Sequence, residues 1–181
     1  MPDAYHTSGP ANFLRDYSSL FTVEGIPGSV VDLACGDGQN GLYLARRGLF
    51  VEFWDQTENR VCNITKEAEG EGLSVRGRIV NLELPGVNPL EENAYGAVLV
   101  FRYLHRPLIP CIKKSIKKGG LLMYETFTRA QAALGRPKNP DFLLRPGELR
   151  SWFQDWTIIH DFEGFEKTPP RAIAQILCKR P

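Results

Sequence analysis

Hydrophobic residues along the chain form short, unbroken runs, separated by segments in which apolar residues recur at helical spacing. The runs predict strands at residues 29–34, 49–54, 73–80, 95–101 and 121–127. The intervening segments predict helices at residues 39–47, 58–71 and 108–118. Because alternating strands and helices favour a parallel sheet with helices on both faces, the pattern predicts an α/β fold.

The two ends of the chain depart from this alternation. Residues 11–21 predict a short helix, whereas residues 157–162 and 172–179 predict a pair of adjacent strands, which would add one antiparallel strand to the sheet. We therefore expect a Rossmann-like, doubly wound sheet that is mostly parallel. It would form a single domain over residues 29–181, preceded by an N-terminal segment over residues 1–28 that forms a helix and a lid.

A long segment near the C-terminal end lacks regular periodicity. Residues 129–144 contain Gly135, Pro137 and Pro140 and predict an irregular loop, and residues 145–153 predict a helix after it. Loops of this length in compact domains often act as lids. We expect this loop and the N-terminal segment to close over a site and exclude water.

Composition excludes several classes of protein. The 22 basic and 21 acidic side chains give a net charge of +1, so we expect no nucleic-acid partner. No run of eighteen apolar residues and no signal-peptide pattern is present, which predicts a cytoplasmic protein without a membrane partner. The histidines form no H-x-x-x-H pair, and the cysteines are far apart. We therefore expect no metal site and no disulfide framework. The cysteines are Cys35, Cys62, Cys111 and Cys178.

The segment after the first predicted strand carries the candidate chemistry. Residues 36–41 match G-x-G-x-x-G, and Asp55, at the end of the second strand, can accept hydrogen bonds from both hydroxyls of a ribose. A dinucleotide and S-adenosylmethionine both fit such a loop. The charges favour the second, because Asp32 and Asp37 would repel a pyrophosphate but attract the ammonium and sulfonium groups of S-adenosylmethionine. A buried Asp32 that bonds only local amides is the alternative at that position.

These residues carry a resemblance to a known family. The run VDLACGDGQNGLYLARRG (residues 31–48), followed by VEFWD (residues 51–55), resembles motifs I and II of the class I S-adenosylmethionine-dependent methyltransferases. Together with GELR (residues 147–150), it is similar to the tellurite-resistance methyltransferase group. The resemblance implies S-adenosylmethionine as the cofactor. The residues expected to bind it are Asp32, Ala34, Cys35, Gly36, Gly38, Asn40, Asp55, Gln56, Asn81, Leu82 and Phe101.

The ends of the fourth and fifth strands supply candidates on the acceptor side. We expect His105 as the general base, if the acceptor needs one, with Arg102 and Glu125 beside the transferred methyl. A bond from Glu125 to Arg102 across the strand ends is the alternative. The candidate substrate residues are Arg102, Tyr103, Tyr124, Arg136 and Arg145. With Arg106, these arginines suggest a small anionic acceptor, and a solvated charged face is the simpler interpretation.

Three functions remain open from the sequence. The first is methyl transfer to a small molecule by in-line displacement, and the second is a non-catalytic binding module with a methyltransferase fold. The third is a nicotinamide-dependent oxidoreductase, which rests on the glycine pattern alone. The sequence does not indicate an oligomeric state.

Overall fold

The computed structural model of the chain describes residues 9–86 and 89–181. The first eight residues of the expected N-terminal segment lie outside the described residues. The strands are β1 (Val30–Leu33), β2 (Val51–Asp55), β3 (Val75–Ile79), β4 (Tyr95–Phe101), β5 (Ile116–Phe127), β6 (Thr157–Lys167) and β7 (Pro170–Lys179). The helices are α1 (Asn12–Asp16), α2 (Gln39–Ala45), α3 (Glu58–Gly70), α4 (Ile109–Ser115), α5 (Gln131–Leu134) and α6 (Glu148–Trp152).

The strands form one seven-stranded sheet in the order β3-β2-β1-β4-β5-β7-β6. Strands β1 to β5 are parallel, and β7 pairs antiparallel with both β5 and β6. The mostly parallel α/β sheet with one antiparallel strand is therefore confirmed. The strand order reverses between β1 and β4, the position at which doubly wound sheets bind ligands outside the carboxyl ends of their strands.

Both faces of the central strands are buried, as their apolar composition predicts. Every residue of β1 is buried. Val31 and Leu33 pack with Trp54 in one hydrophobic cluster. Val30 packs on the opposite face with Phe13 and Leu14 of α1. Helix α1 therefore covers part of one sheet face.

The predicted helix over residues 108–118 is wrong at its end. Helix α4 stops at Ser115, and Ile116 begins β5, where it pairs with Tyr95 and is fully buried. Pairing in the sheet overrides the helix propensity of the lysines that follow. Lys117 and Lys118 therefore lie on a strand, although the sequence predicted them at the end of a helix.

Two other segments are more ordered or longer than expected. The loop over residues 129–144 contains α5 and a 3-10 turn at Pro140–Phe142, and it ends at the buried Leu143 and Leu144. The C-terminal hairpin extends beyond its predicted strands, to Lys167 on β6 and Pro170 on β7. The outer β6 alternates exposed and half-buried residues, as expected for an edge strand.

Among the described residues, none of the helices is both long and apolar enough to cross a membrane.

Candidate functional site

Two adjoining cavities open at the carboxyl ends of β1, β2 and β4. The smaller has a volume of about 220 Å³ and the larger of about 580 Å³. Both are lined by Ala34, Arg60, Glu83, Arg102 and Tyr103, so we describe them together as the cleft. The volume of the larger cavity alone is in the range of small-molecule sites.

The glycines of the loop between β1 and α2 are required by its geometry. Gly38 precedes α2 with φ +72°, and a Cβ there would lie 2.8 Å from the side chain of Ile64. A Cβ on Gly41 would lie 2.3 Å from the ring of Phe53, so only glycine allows α2 to pack this closely on β2. The main chain of the loop is thereby held open beside the cleft.

Asp55 joins the end of β2 to the glycine loop. Its Oδ2 accepts a hydrogen bond from the Gly36 amide at 3.0 Å, and its Oδ1 accepts one from the Thr57 amide at 2.8 Å. The side chain lines the smaller cavity. Each carboxylate oxygen can accept a second hydrogen bond, so Asp55 can also bind ligand hydroxyls.

Asp32 takes the alternative that we left open. It is buried beneath the loop, where its Oδ2 accepts from the Gly41 amide at 3.0 Å, and it lines neither cavity. Burial raises the pKa of Asp32 to about 8. The hydrogen bond from the Gly41 amide opposes this shift, and the charge of Asp55 adds to it. Asp37 pairs with Arg60, with Oδ1 and Nε 3.5 Å apart. Asp37 also lines the larger cavity, so of the two carboxylates expected to face the ligand Asp37 reaches the cleft and Asp32 does not.

Most of the other residues expected at the cofactor do line the cleft. Those in the larger cavity are Ala34, Cys35, Gly36, Asn40 and Phe101, and those in the smaller are Ala34, Asp55, Gln56, Asn81 and Leu82. Gly38 lines neither cavity and lies against the side chain of Ile64 of α3. Burial raises the pKa of the Cys35 thiol, which is consistent with a neutral space-filling role. The Asn40 side chain also accepts a hydrogen bond from the Ala11 amide at 2.8 Å, which fastens the N-terminal segment to α2.

Arg102, Tyr103 and Arg136 are the acceptor-side candidates that line the cleft. Arg102 has φ +56°, a strained conformation for a residue with a side chain. The Tyr103 hydroxyl is buried and, within residues 9–86 and 89–181, makes no hydrogen bond of ordinary geometry, although the Glu83 carboxylate lies near it. Burial, with the charge of Glu83, raises the pKa of Tyr103, so the phenol is protonated at neutral pH. An unsatisfied buried hydroxyl in a cleft suggests that a ligand supplies its partner.

Three other candidates do not line either cavity. His105 is half-buried and Arg145 is exposed, and neither is among the lining residues. Tyr124 is buried and donates from its hydroxyl to the Tyr103 carbonyl at 3.1 Å, so it supports the strand end.

Glu125 also points away from the cleft. It is 1% exposed, and it accepts hydrogen bonds from Arg171 at 3.2 Å and Gln175 at 2.7 Å. Burial raises the pKa of Glu125, and the charge of Arg171 opposes this. The strand-end bond with Arg102 exists in the main chain, where the Arg102 amide donates to the Glu125 carbonyl.

The side chain of Arg106 donates to other parts of the protein and lines neither cavity. Its Nε and Nη2 donate to the two carboxylate oxygens of Glu148, both at 2.8 Å. Its remaining donors reach the carbonyls of Asp141 at 2.8 Å and Leu143 at 2.9 Å. Arg106 thus anchors the segment over residues 129–144, which we call the lid segment.

The sequence interpretation missed several lining residues. Arg60, in the first turn of α3, lines both cavities, as does Glu83. The position of Arg60 was a usable signal, because a helix that starts directly after β2 begins at the ligand-binding edge. Phe127 and Phe142 line the larger cavity, but nothing local in the sequence distinguishes them from core residues.

Comparison with known proteins identifies relatives of the chain. A family model described as "Tellurite resistance protein TehB" matches residues 17–168. The chain is 28% identical over 139 residues to the "Probable S-adenosyl-L-methionine-dependent methyltransferase TehB" of Haemophilus influenzae, with 74% of this chain and 47% of that protein covered. The chain thus spans about half the length of this curated relative.

Solved structures share the fold. The crystal structure of TehB from Haemophilus influenzae has a TM-score of 0.77 at 20% identity, covering 98% of this chain and 64% of that one. The geranyl diphosphate C-methyltransferase of Streptomyces coelicolor A3(2), in complex with Mg²⁺, geranyl diphosphate and S-adenosyl-L-homocysteine, has a TM-score of 0.66 at 16% identity. That alignment covers 93% of this chain and 81% of that one. Because the family model extends over most of the sequence, from the residue after α1 to the β6–β7 turn, the chain belongs to the TehB family of tellurite resistance proteins.

Proposed function

We propose that the chain binds S-adenosylmethionine and transfers its methyl group to a small, anionic acceptor. The observation that carries the proposal is the position of Asp55, whose carboxylate is held by two main-chain amides and lines one of two joined cavities. This arrangement suits a ligand with a ribose at one end and a reactive group at the other.

The residues of the cleft fit the parts of this cofactor. In the smaller cavity Asp55 would hold the ribose hydroxyls, and Gln56, Asn81 and Leu82 would lie beside the adenine. In the larger cavity the methionyl part would lie along residues 34–36 and Asn40, with Asp32 and Gly38 shaping the loop from beneath. The buried Tyr103 hydroxyl, where the cavities meet, can donate to the bound ligand.

The chemistry needs little from the protein beyond alignment. The cofactor supplies a methyl carbon already activated by its sulfonium, which a nucleophile displaces in line, leaving S-adenosylhomocysteine. Arg102 and Arg136 can orient an anionic acceptor, and the lid segment limits access of water. Orientation of this kind can lower a barrier by about 7–11 kcal/mol in well-aligned systems. Because His105 lies outside the cleft, we do not assign it the role of general base.

Calorimetric titration with S-adenosylmethionine and S-adenosylhomocysteine tests the proposal. We expect both to bind the wild type, and we expect Asp55→Asn to weaken binding at least tenfold (about 1.4 kcal/mol), because it removes the negative acceptor for the ribose hydroxyls. Asp161→Asn, at an exposed ion pair with Arg150, is the matched control and should bind normally. Absence of heat and of any thermal shift with either compound would overturn the proposal.

Two further assays separate the other functions considered from the sequence. A nicotinamide-dependent oxidoreductase should bind NADH, which changes its fluorescence on binding, and we expect no change. A non-catalytic module should bind S-adenosylmethionine but transfer no label from its methyl group to any acceptor in a radiolabel screen. We expect labelled product.

A further inference from the structure

The larger cavity has more aromatic lining than cofactor binding accounts for, because Phe127 and Phe142 have no part in holding the cofactor. Beyond the glycine loop it is lined by Phe101, Tyr103, Phe127 and Phe142, which we call the aromatic wall. A small inorganic oxyanion is bound through hydrogen-bond donors and gains nothing from four rings. A flat organic molecule, in contrast, can stack on such a surface.

Phe142 is held at the mouth of the cavity by specific contacts. Its side chain is 49% exposed, although a free phenyl group in water is unfavourable. Arg106 binds the carbonyls on both sides of it, those of Asp141 and Leu143. Asn139 also accepts a hydrogen bond from the Asp141 amide at 3.0 Å. The exposed ring is therefore built into the lid segment, as expected of a residue that covers an apolar ligand.

Arg136 supplies a positive charge to the same cavity. Its guanidinium makes no hydrogen bond or ion pair with any described residue, unlike that of Arg106. Its main chain is well anchored, because its carbonyl accepts from the side chain of Gln131 at 3.0 Å. Gln131 is fully buried and in turn accepts from the Ala172 amide of β7 at 2.8 Å. The position of the Arg136 main chain is thus fixed, while its charge is available to a ligand.

The described residues of the cleft include the acidic side chains Asp37, Asp55 and Glu83, and carboxylates are weak bases toward a hydroxyl or an ammonium group. Over the described ranges, neither histidine nor lysine lines either cavity. These are the side-chain types most readily tuned to act as bases there. An acceptor that reacts in this cleft should therefore attack through an atom that is already unprotonated.

We infer that the acceptor is an aromatic carboxylate that attacks through a thiolate sulfur, with its ring on the aromatic wall and its carboxylate on Arg136. This inference rests on the proposed function and gives its acceptor a chemical class. The thiolate electron pair forms the bond to the methyl carbon while the bond from that carbon to the sulfonium breaks. The electron pair of the broken bond stays on the sulfur of S-adenosylhomocysteine, and no proton is released.

Binding to the protein saturated with S-adenosylhomocysteine tests the class without turnover. The probe is 4-mercaptobenzoate, compared by calorimetry with benzenethiol, which lacks the carboxylate, and with mercaptoacetate, which lacks the ring. We expect 4-mercaptobenzoate to bind at least tenfold more tightly than either. Equal binding of mercaptoacetate, tighter binding of tellurite, or no binding of 4-mercaptobenzoate would overturn the inference.

Variants of the lid segment identify the groups responsible. Arg136→Met should weaken 4-mercaptobenzoate about tenfold and leave benzenethiol unchanged, whereas Arg145→Met, at an exposed arginine outside the cleft, should change neither. Phe142→Ala should weaken both aromatic probes, and Leu134→Ala, an exposed apolar residue of the same segment, should weaken neither. An Arg136→Met variant that weakens both probes equally would contradict the assigned carboxylate contact.

The two proposals fail separately. Loss of S-adenosylhomocysteine binding in the wild type overturns the proposed function. Normal binding of S-adenosylhomocysteine without binding of 4-mercaptobenzoate overturns only the acceptor class. The two control variants, Arg145→Met and Leu134→Ala, should bind S-adenosylhomocysteine as the wild type does, and all four variants should give the circular dichroism spectrum of the wild type, which shows that they fold.

Discussion

Asp32 and Asp55 are carboxylates on neighbouring strands, yet their surroundings give them different tasks. Asp32 pairs in register with Phe53, two residues before Asp55, and therefore lies deeper in the sheet. There the Gly41 amide is its hydrogen-bond donor, and it makes no contact with the cleft. Asp55, at the last position of its strand, reaches the smaller cavity. A displacement of two residues along β2 thus separates an acid that is buried beneath the loop from one that faces the cleft.

The raised pKa of Asp32 predicts a pH-dependent stability. Between its ordinary value of 3.8 and about 8, the folded protein keeps a proton that the unfolded chain releases. The free energy of unfolding should therefore fall as pH rises through this window, by up to about 1.4 kcal/mol per pH unit. Asp32→Asn should lose this slope, because a carboxamide at this position cannot ionise, although its oxygen can still accept from the Gly41 amide. Urea denaturation of both proteins between about pH 5 and pH 8 measures the difference, and parallel profiles would contradict it.

At the scale of elements, the lid segment is a loop made rigid by contacts distant in sequence. Arg106, just after β4, binds Glu148 at the start of α6 and two carbonyls of the segment. Glu148 also accepts from the Arg145 amide at 2.8 Å. The bonds to Arg106, followed by that of the Arg145 amide, lower the pKa of Glu148. This network connects the segment after β4 to the two carbonyls on either side of Phe142.

Arg106→Met should loosen the lid segment without affecting the cofactor site. Since about a third of this side chain is exposed (31%), we expect a loss of about 1–2 kcal/mol in the free energy of unfolding. Proteolytic cleavage between residues 129 and 144 should become faster, and affinity for S-adenosylhomocysteine should not change. Arg150→Met, at an exposed pair with Asp161, is the control, with an expected loss below about 0.5 kcal/mol. Equal cleavage rates in wild type and Arg106→Met would argue against an anchoring role.

At the scale of the molecule, a polar network joins α1 to the antiparallel end of the sheet. The Tyr17 hydroxyl, next to α1, contacts His160 at 3.0 Å, and His160 contacts Gln175 at 3.2 Å. Gln175 donates to Glu125 at 2.7 Å, and Glu125 pairs with Arg171 at 3.2 Å. The N-terminal helix, which is also tied to the glycine loop through Asn40, is therefore connected to three strands of the hairpin end.

Removing the cation of this network should be costly. Arg171→Met leaves the buried Glu125 without its countercharge, which we expect to cost about 3–5 kcal/mol of unfolding free energy. In the double variant Arg171→Met/Glu125→Gln no buried carboxylate remains unpaired, so much of that cost should be recovered. Urea denaturation of the single and double variants measures the coupling. Simple addition of the two single costs would show that the pair is not coupled.

The sequence was informative where structure depends on near neighbours. The apolar runs predicted the parallel strands, and the glycine loop with Asp55 predicted the ligand-binding edge. Prediction failed where a distant partner decided the outcome. Ile116 left its helix to pair with Tyr95 of β4, and Glu125 turned from the cleft toward Arg171, 46 residues away.

By itself, therefore, the sequence determined the fold class and the position of the crossover loop and favoured one cofactor, because periodicity and motif spacing are local properties. Only the tertiary structure decided which charges are available to a ligand. Four arginines were equivalent candidates in sequence, but Arg106 is neutralised by Glu148, 42 residues away, and Arg136 is left facing the aromatic wall. The electrostatics of a site depend on every group that folding brings near it, and such proximity is not encoded in any short segment.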